Sequence, residues 1–286
     1  GALAVEGGLR YSRFDLMLPA EAGQQPVNLT PDDVTGDLRI RFAVTRNLQL
    51  LANIGRGFRP PNIFDLGALG PRPGNRFNVA NPLLAPETVW SYDLGLRAWG
   101  ERWQVEGFLF HLDYRDKIAS VPTGDITDSG RIVVRSENRA EASVSGLELA
   151  ATWGLTDTLD LEAALNYTKG TERVAGLPET PADRIPPLNG RLGLNWSATD
   201  RWEFEAWAGF AGEQDRLSPR DRLDPRIDPK GTPGWFTLNA RARWQINETL
   251  ALGLQLTNLL DEAYREHGSG IDAAGFGAGV WIDVTY

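Results

Sequence analysis

Apolar and polar residues alternate with a period of two through most of the chain. Val34, Gly36, Leu38, Ile40, Phe42 and Val44 fall on one side of such a run, and Thr35, Asp37, Arg39, Arg41 and Ala43 on the other. Phe236, Leu238, Ala240, Ala242, Trp244 and Ile246 alternate in the same way with Thr237, Asn239, Arg241, Arg243 and Gln245. The last run sets Phe276, Ala278, Val280, Ile282, Val284 and Tyr286 against Gly277, Gly279, Trp281, Asp283 and Thr285. Successive side chains of an extended strand point to opposite faces, so each run predicts a strand with one apolar and one polar side. Similar ladders start near Leu3, Leu48, Trp90, Leu147, Leu159, Leu188, Trp202 and Leu250. Trp103 to Ile118 also reads as a strand, but Phe108 and Phe110 compete with Val105 and Leu109 for its apolar phase. The total is about twelve strands, most near the length a tilted strand needs to cross a bilayer.

The connections sharpen this reading. Short turns fall at Arg46-Asn47, Gly100-Glu101, Thr156-Asp157-Thr158, Ala198-Thr199-Asp200 and Asn247-Glu248. Between them lie long stretches rich in Pro, Gly and Asp, at 17–33, 59–87, 119–130, 170–186, 211–234 and 260–274. Short and long alternate strictly, as in an up-and-down barrel whose turns gather on one membrane face and whose loops gather on the other. A soluble sandwich, with its mixed crossings, gives no reason for that order. Trp99, Trp103, Trp153, Trp196, Trp202 and Trp244 lie within a few residues of short turns, where amphipathic indoles would form an aromatic rim at headgroup level. The fold expected is an all-β, antiparallel up-and-down transmembrane barrel. On this pattern alone, about twelve strands could close on themselves or form part of a larger barrel.

Composition removes other classes. No run of about 18 apolar residues occurs, so no membrane-spanning helix is expected. A formal charge of -9 argues against nucleic acid as a partner, and the absence of cysteine removes disulfides and thiol chemistry. The start, Gly1 to Glu6, has no basic segment or cleavage site. The chain therefore reads as beginning downstream of any signal peptide, and its aromatic Tyr286 reads as a natural end.

Several segments resemble the barrel of TonB-dependent outer-membrane receptors, in order and at family-like spacing over nearly the whole chain. Gly57-Phe58-Arg59-Pro60-Pro61-Asn62-Ile63-Phe64-Asp65-Leu66 is similar to the family's Arg-Gly-Phe-Arg-Ala-Pro stretch. Asn81-Pro82-Leu83-Leu84-Ala85-Pro86-Glu87-Thr88 resembles its Asn-Pro-x-Leu-x-Pro-Glu box, and Ser91 to Arg97 the strand after it. Phe110 to Ile118, Gly146-Leu147-Glu148 and Asn258-Leu259-Leu260-Asp261-Glu262-Ala263-Tyr264 complete the set. The resemblance implies a C-terminal part of a barrel of about 22 strands, with residues 1–286 lacking the plug domain and TonB box. It implies outer-membrane lipid and, through that missing plug, the TonB complex as partners. The implied function is energy-coupled uptake of a ferric siderophore or a similar scarce nutrient in a Gram-negative-type bacterium.

Candidate chemistry is sparse. The only histidines are His111, read as lining a wall, and His267, read as a solvated loop residue, and no Gly-x-Ser-x-Gly elbow accompanies them. A barrel enzyme therefore ranks below a passive pore or translocator of about twelve strands, and no catalytic residue, metal site or cofactor is expected. Haem receptors of the resembled family carry a His between the first two boxes, and residues 62–80 have none. Arg59, Arg72, Asn75, Arg76 and Phe77 could meet an anionic, partly aromatic ligand through charge and stacking, with His267 reaching from the last loop. Asp215, Asp221, Asp224 and Asp228 interleave with Arg216, Arg220, Arg222 and Arg226, which predicts a self-neutralising network rather than a Ca²⁺ site. Arg39, Arg41, Glu148, Glu203, Glu205 and Arg241 are expected to face the barrel lumen, since each would cost about 2–4 kcal/mol on the lipid side.

Overall fold

A computed structural model describes residues 2–19, 26–67, 69–72 and 75–285. Twelve strands follow one another in a single antiparallel sheet: β1 (Leu3–Arg13), β2 (Asp32–Thr45), β3 (Leu48–Arg59), β4 (Glu87–Trp99), β5 (Trp103–Ile126), β6 (Ile132–Gly154), β7 (Leu159–Val174), β8 (Asn189–Thr199), β9 (Trp202–Ala211), β10 (Trp235–Gln245), β11 (Leu250–Thr257) and β12 (Gly277–Val284). Each strand pairs with the next in sequence. Among the described residues β1 and β12 do not pair with each other, so the sheet stays open rather than closing on twelve strands. Tyr286 lies outside the described residues.

The faces separate as the alternation requires. Val34, Leu38, Ile40, Phe42 and Val44 are all exposed on one side, with Leu94, Leu109, Val280 and Ile282 further along it. In β5 the ambiguous phase resolves for a local reason. Trp103, Val105 and Leu109 take the apolar side, while Phe108 and Phe110 turn to the polar side. There their rings cover Gly95 of β4 and Gly146 of β6, filling the space of a missing side chain. Five of the six rim tryptophans also lie on the apolar side, with Trp202 stacked on Trp244 at 5.4 Å and on Phe204 at 5.6 Å. Trp99 is the exception. It follows Arg97 by two residues, and alternation sends it to the polar face whatever its distance from the turn.

Charges on the polar side pair across strands. Arg97 meets Glu106 at 2.8 Å, Arg241 meets Glu205 at 2.6 Å, and Arg191 reaches the same Glu205. Arg243 lies 3.6 Å from both Glu203 and Asp283. Asn53 donates to Asp93 at 2.7 Å.

One predicted loop is a strand pair. Residues 119–130 read as a loop, yet β5 runs to Ile126 and β6 starts at Ile132, so this hairpin rises well past its neighbours. Among the described residues β5 has no strand partner on its β4 side above Arg115, so Pro122 sits where a missing N–H is tolerated. A third strand, Arg76–Val79, adds in parallel to Ile132–Arg135 and makes the projection three-stranded. Two bulges near Asn138 and Ala140, with Asp116 in a left-handed conformation, bend it at its root.

The glycine–ring pairs yield a paired test. The three atoms nearest to a Cβ at Gly95 would all belong to the Phe108 ring, the first at 2.4 Å, whereas a Cβ at Gly146 would also lie 2.5 Å from the Tyr167 carbonyl oxygen. Gly95→Val should lower barrel stability by about 1–3 kcal/mol, and adding Phe108→Ala should restore most of it. Gly146→Val should not be rescued by Phe110→Ala. Urea unfolding of refolded protein in detergent reads both; rescue in both pairs, or in neither, would show that the rings do not set this packing.

Candidate ligand-binding loops

All six long connections emerge from the rim opposite the short turns, and they pack into two groups. The first joins the β1–β2 connection, the β3–β4 connection and the β5–β6 projection. A small hairpin of Leu16–Leu18 with Val27–Leu29 contributes Val27 and Leu29 to a buried cluster with Leu66 and Leu84, flanked by Ala80 and Ile118. Leu66 belongs to a helical turn, Ile63–Gly67. Its start is capped by Asn62, whose side-chain oxygen accepts from the N–H groups of Phe64 and Asp65 at 2.8 and 3.1 Å.

Arg59 ends β3 beneath this cluster. Its guanidinium meets Asp65 at 2.6 Å and Glu87 at 2.7 Å, joining the start of the β3–β4 loop to its end. The same Glu87 accepts the N–H of Ile118 at 2.7 Å. Asn81 donates to the Ser136 carbonyl at 2.8 Å, and Asn138 exchanges two 2.9 Å bonds with the Ala85 backbone. The Arg59-to-Asp65 and Asn81-to-Glu87 motifs thus fasten the loop at both exits.

Between these fastenings, Gly70–Arg72 and Arg76–Val79 form a hairpin that reaches the β5–β6 projection. Asn75 sits at its tip with φ of 57°, donating to the Gly130 carbonyl at 3.0 Å and accepting from the Ile132 N–H at 2.9 Å. Arg76 is exposed beside it, and half-buried Phe77 lies opposite Val133. The Arg72 side chain lies outside the described residues.

The second group joins the β7–β8, β9–β10 and β11–β12 connections around Arg184. This residue adopts a left-handed backbone with φ of 58°. Its N–H donates to Asp221 at 3.1 Å, its Nε lies 3.3 Å from the other Asp221 oxygen as an ion contact without hydrogen-bond geometry, and its side chain also meets Asp224. A further bond to the Gly268 carbonyl, at 3.2 Å, brings in the last loop. Asp221 is buried within a short helical turn capped by Ser218. Asp224 also binds Arg226 at 2.7 Å, and these hydrogen bonds hold its carboxyl well below the usual range. Of the expected Asp–Arg network, the Asp224–Arg226 pair forms within the loop, while Asp221 and Asp224 both turn to an arginine from another loop.

His267 belongs to this second group. Its Nδ1 lies 2.9 Å from the Thr232 hydroxyl, and burial pushes its pKa down, with Asp221 opposing and Arg184 adding to the fall. The last motif fixes the neighbouring exit. Asn258 and Asp261 both take left-handed conformations; Asn258 bridges to the Glu262 and Ala274 carbonyls, and Asp261 accepts from Phe276 at 2.8 Å. Tyr264 packs on Trp235 at 4.5 Å.

The six residues singled out from the sequence therefore do not form one cluster. Asn75, Arg76 and Phe77 share one exposed hairpin, Arg59 is enclosed by carboxylates at its base, and His267 lies in the other loop group. Arg184, which organises that group with Asp221, carries no sequence signal of its own, because its loop lacks periodicity and Asp221 lies 37 residues away. Among the described residues, no group of three or more His, Cys, Asp or Glu side chains could hold a metal ion.

Comparison with known proteins agrees with this architecture. The family model described as "TonB dependent receptor-like, beta-barrel" matches residues 1–259. The chain is 31% identical over 247 residues to hemoglobin-haptoglobin utilization protein B of Neisseria meningitidis serogroup C, covering 77% of this chain and 30% of that protein. It is 26% identical over 288 residues to the ferric enterobactin receptor of Pseudomonas aeruginosa, covering 85% and 36%. Among solved structures, the copper transporter OprC superposes with a TM-score of 0.81 at 20% identity, covering 99% of this chain and 45% of that one. The chain spans about a third of the length of the curated relatives it matches. By the match over residues 1–259, with the one-faced twelve-stranded sheet, the chain belongs to the TonB-dependent receptor β-barrel family.

Proposed function

We propose that this chain forms wall and external loops of an outer-membrane receptor that imports a ferric siderophore or a similar scarce nutrient, driven by the TonB complex. The observation that carries the reading is a family barrel wall whose ordered long loops all gather on one rim. A wall with an exposed apolar face suits outer-membrane lipid of a Gram-negative-type bacterium, and the paired polar face suits a hydrated lumen. Coupling would pass through a plug domain in another part of the receptor, so this chain's share is capture and containment, without catalysis. Relatives named for haemoglobin–haptoglobin use and ferric enterobactin reception support an iron-bearing cargo.

Within the loops, the exposed hairpin is the better ligand surface. Arg76 beside Phe77 offers charge and an aromatic face to an anionic, partly aromatic chelate. Arg59 acts as a brace. His267 acts on ligand only if the second loop group rearranges.

Binding and uptake by the whole receptor test this. With a panel of ferric siderophores, haem and cobalamin, one iron source should bind, and its uptake should stop in cells lacking the TonB complex. Arg76→Ala with Phe77→Ala should weaken binding of that source about ten-fold or more, against little change for Lys230→Gln. Uptake that persists without the TonB complex would sink the coupled reading in favour of a passive pore.

The second loop group makes two further predictions. Arg184→Gln leaves the buried Asp221 without its cation, so local opening of 175–188, 212–234 and 258–276 should become about 1–3 kcal/mol easier, allowing for Arg184's partial exposure. Hydrogen exchange should rise in those loops and hold steady in the strands. The pH effect has a definite sign. His267 has a folded pKa below its unfolded value of 6.5, so the unfolded loops bind more protons and packing is favoured as pH rises. Packing should weaken as pH falls below about 6.5, and Asp224 does not interfere because its contribution is lost only as pH falls below about 3.8. Exchange in these loops should be faster at pH 5.5 than at 7.5, and His267→Gln should flatten the difference. An unchanged slope in that variant would assign it to another group.

A further inference from the structure

The apolar face carries one row of side chains that the uptake reading does not use. Strand register places Tyr92, His111, Ser145 and Lys169 side by side on β4, β5, β6 and β7. His111 Nδ1 lies 2.8 Å from the Ser145 hydroxyl, and the His111 ring lies 6.2 Å from that of Tyr92. Lys169 is exposed and, among the described residues, has no carboxylate partner, unlike Lys117, which pairs with Glu172. The sequence reading of His111 as a wall residue is thus met on the outer side of the wall, within a polar row.

Its position along the strands is what gives the row meaning. The next register row toward the short turns is Leu94, Leu109, Leu147 and Tyr167, with Leu94 64% and Leu109 56% exposed. The next row toward the long loops is Trp90, Asp113, Ser143 and Thr171, where Trp90 stacks on Tyr92 and Ser143 contacts Thr171 at 3.3 Å. Beyond that come Arg115, bound to Asp113 at 2.9 Å, and Arg173, opposite Glu141 and 3.9 Å from Glu179. From Leu109 to Asp113 the face changes from hydrocarbon-like to charged across four residues of strand, about 13 Å, with the His111 row between. That is the depth at which acyl chains give way to headgroups.

We propose that His111, Ser145 and Lys169 form a binding site for the phosphate of a membrane lipid whose acyl chains lie on the Leu94–Leu109–Leu147 row. Charge complementarity selects this occupant. The carboxylates above are already engaged or face arginines, whereas Lys169 and the His111–Ser145 pair present donors with no anion. The lysine stem can lie along Tyr167 while its ammonium rises to the phosphate. A protein partner would have to cover the adjoining apolar row as well; a lipid covers it with its own tails. The inference rests on the membrane reading above, so the test separates the two.

The complete receptor in detergent would be offered phosphatidylglycerol and digalactosyl diacylglycerol with matched acyl chains, and retained lipid counted by native mass spectrometry. Wild type should favour the phosphate-bearing lipid. Lys169→Gln should cut that preference about five-fold, Lys169→Arg should keep it, and Lys230→Gln should leave it unchanged. His111→Gln should cut it by less. Heat-modified gel mobility reports that each variant is folded. Equal preference in wild type and Lys169→Gln, with lipid still retained, would overturn the headgroup site alone. No retention of either lipid would overturn the membrane reading with it. Displacement of the lipid by millimolar inorganic phosphate would show a site for a free anion and also overturn the proposal.

Discussion

Everything in this molecule follows from the need to pair backbone hydrogen-bonding groups along one continuous antiparallel ladder. A buried N–H or C=O without a partner costs about 2–7 kcal/mol, far more than the 1 kcal/mol or less of an exposed ion pair. Each strand from β2 to β11 satisfies that need with a neighbour on both sides. Once the ladder is fixed, alternation dictates which side chains share a face and leaves the chain only the rims for its irregular backbone. The polar face then has to neutralise its own charges, which explains why Glu205 serves both Arg191 and Arg241.

Much of this was legible because a period of two survives on both faces of nearly every strand. Two of the failures share a physical cause, a partner strand that composition cannot reveal. Pro, Gly and Asp in 119–130 read as a loop, but β6 and the Arg76–Val79 strand supply pairing there. The phase of β5 hung on Gly95 and Gly146, which create the space that Phe108 and Phe110 fill. Trp99 lies close to a turn, as the others do, yet its face is set by its position in the alternation. In the loops, Arg59 read as a free cation although both of its carboxylates stood in the recognised motifs. Arg184 was invisible, since nothing in its own segment foreshadows Asp221 or a contact with Gly268, 84 residues away.

The family motifs take on a common meaning in this light. Arg59 to Asp65, Asn81 to Glu87 and Asn258 to Tyr264 all stand where a strand gives way to a long loop. Their side chains bridge backbone groups that have just left the ladder, and Asn258 and Asp261 accept left-handed conformations that Asn and Asp tolerate better than most residues. Such residues fix how loops leave the wall and say nothing about what the loops hold. That is why the family could be recognised from them while the cargo could not.

The two loop groups are held by different forces, and the difference bears on which can move. Opening the first would expose Val27, Leu29, Leu66 and Leu84 to water, at about 25 cal/mol for each Å² of apolar surface uncovered, with nothing gained in return. Opening the second would separate Arg184 from Asp221 and Asp224, but each ion would regain hydration that burial had removed, offsetting much of the lost attraction. His267, packed neutral against Thr232, tilts the balance further whenever it takes up a proton. The second group is therefore the part of the rim that can yield at modest cost, and the first, which carries the Asn75–Phe77 hairpin, is the part that keeps its shape.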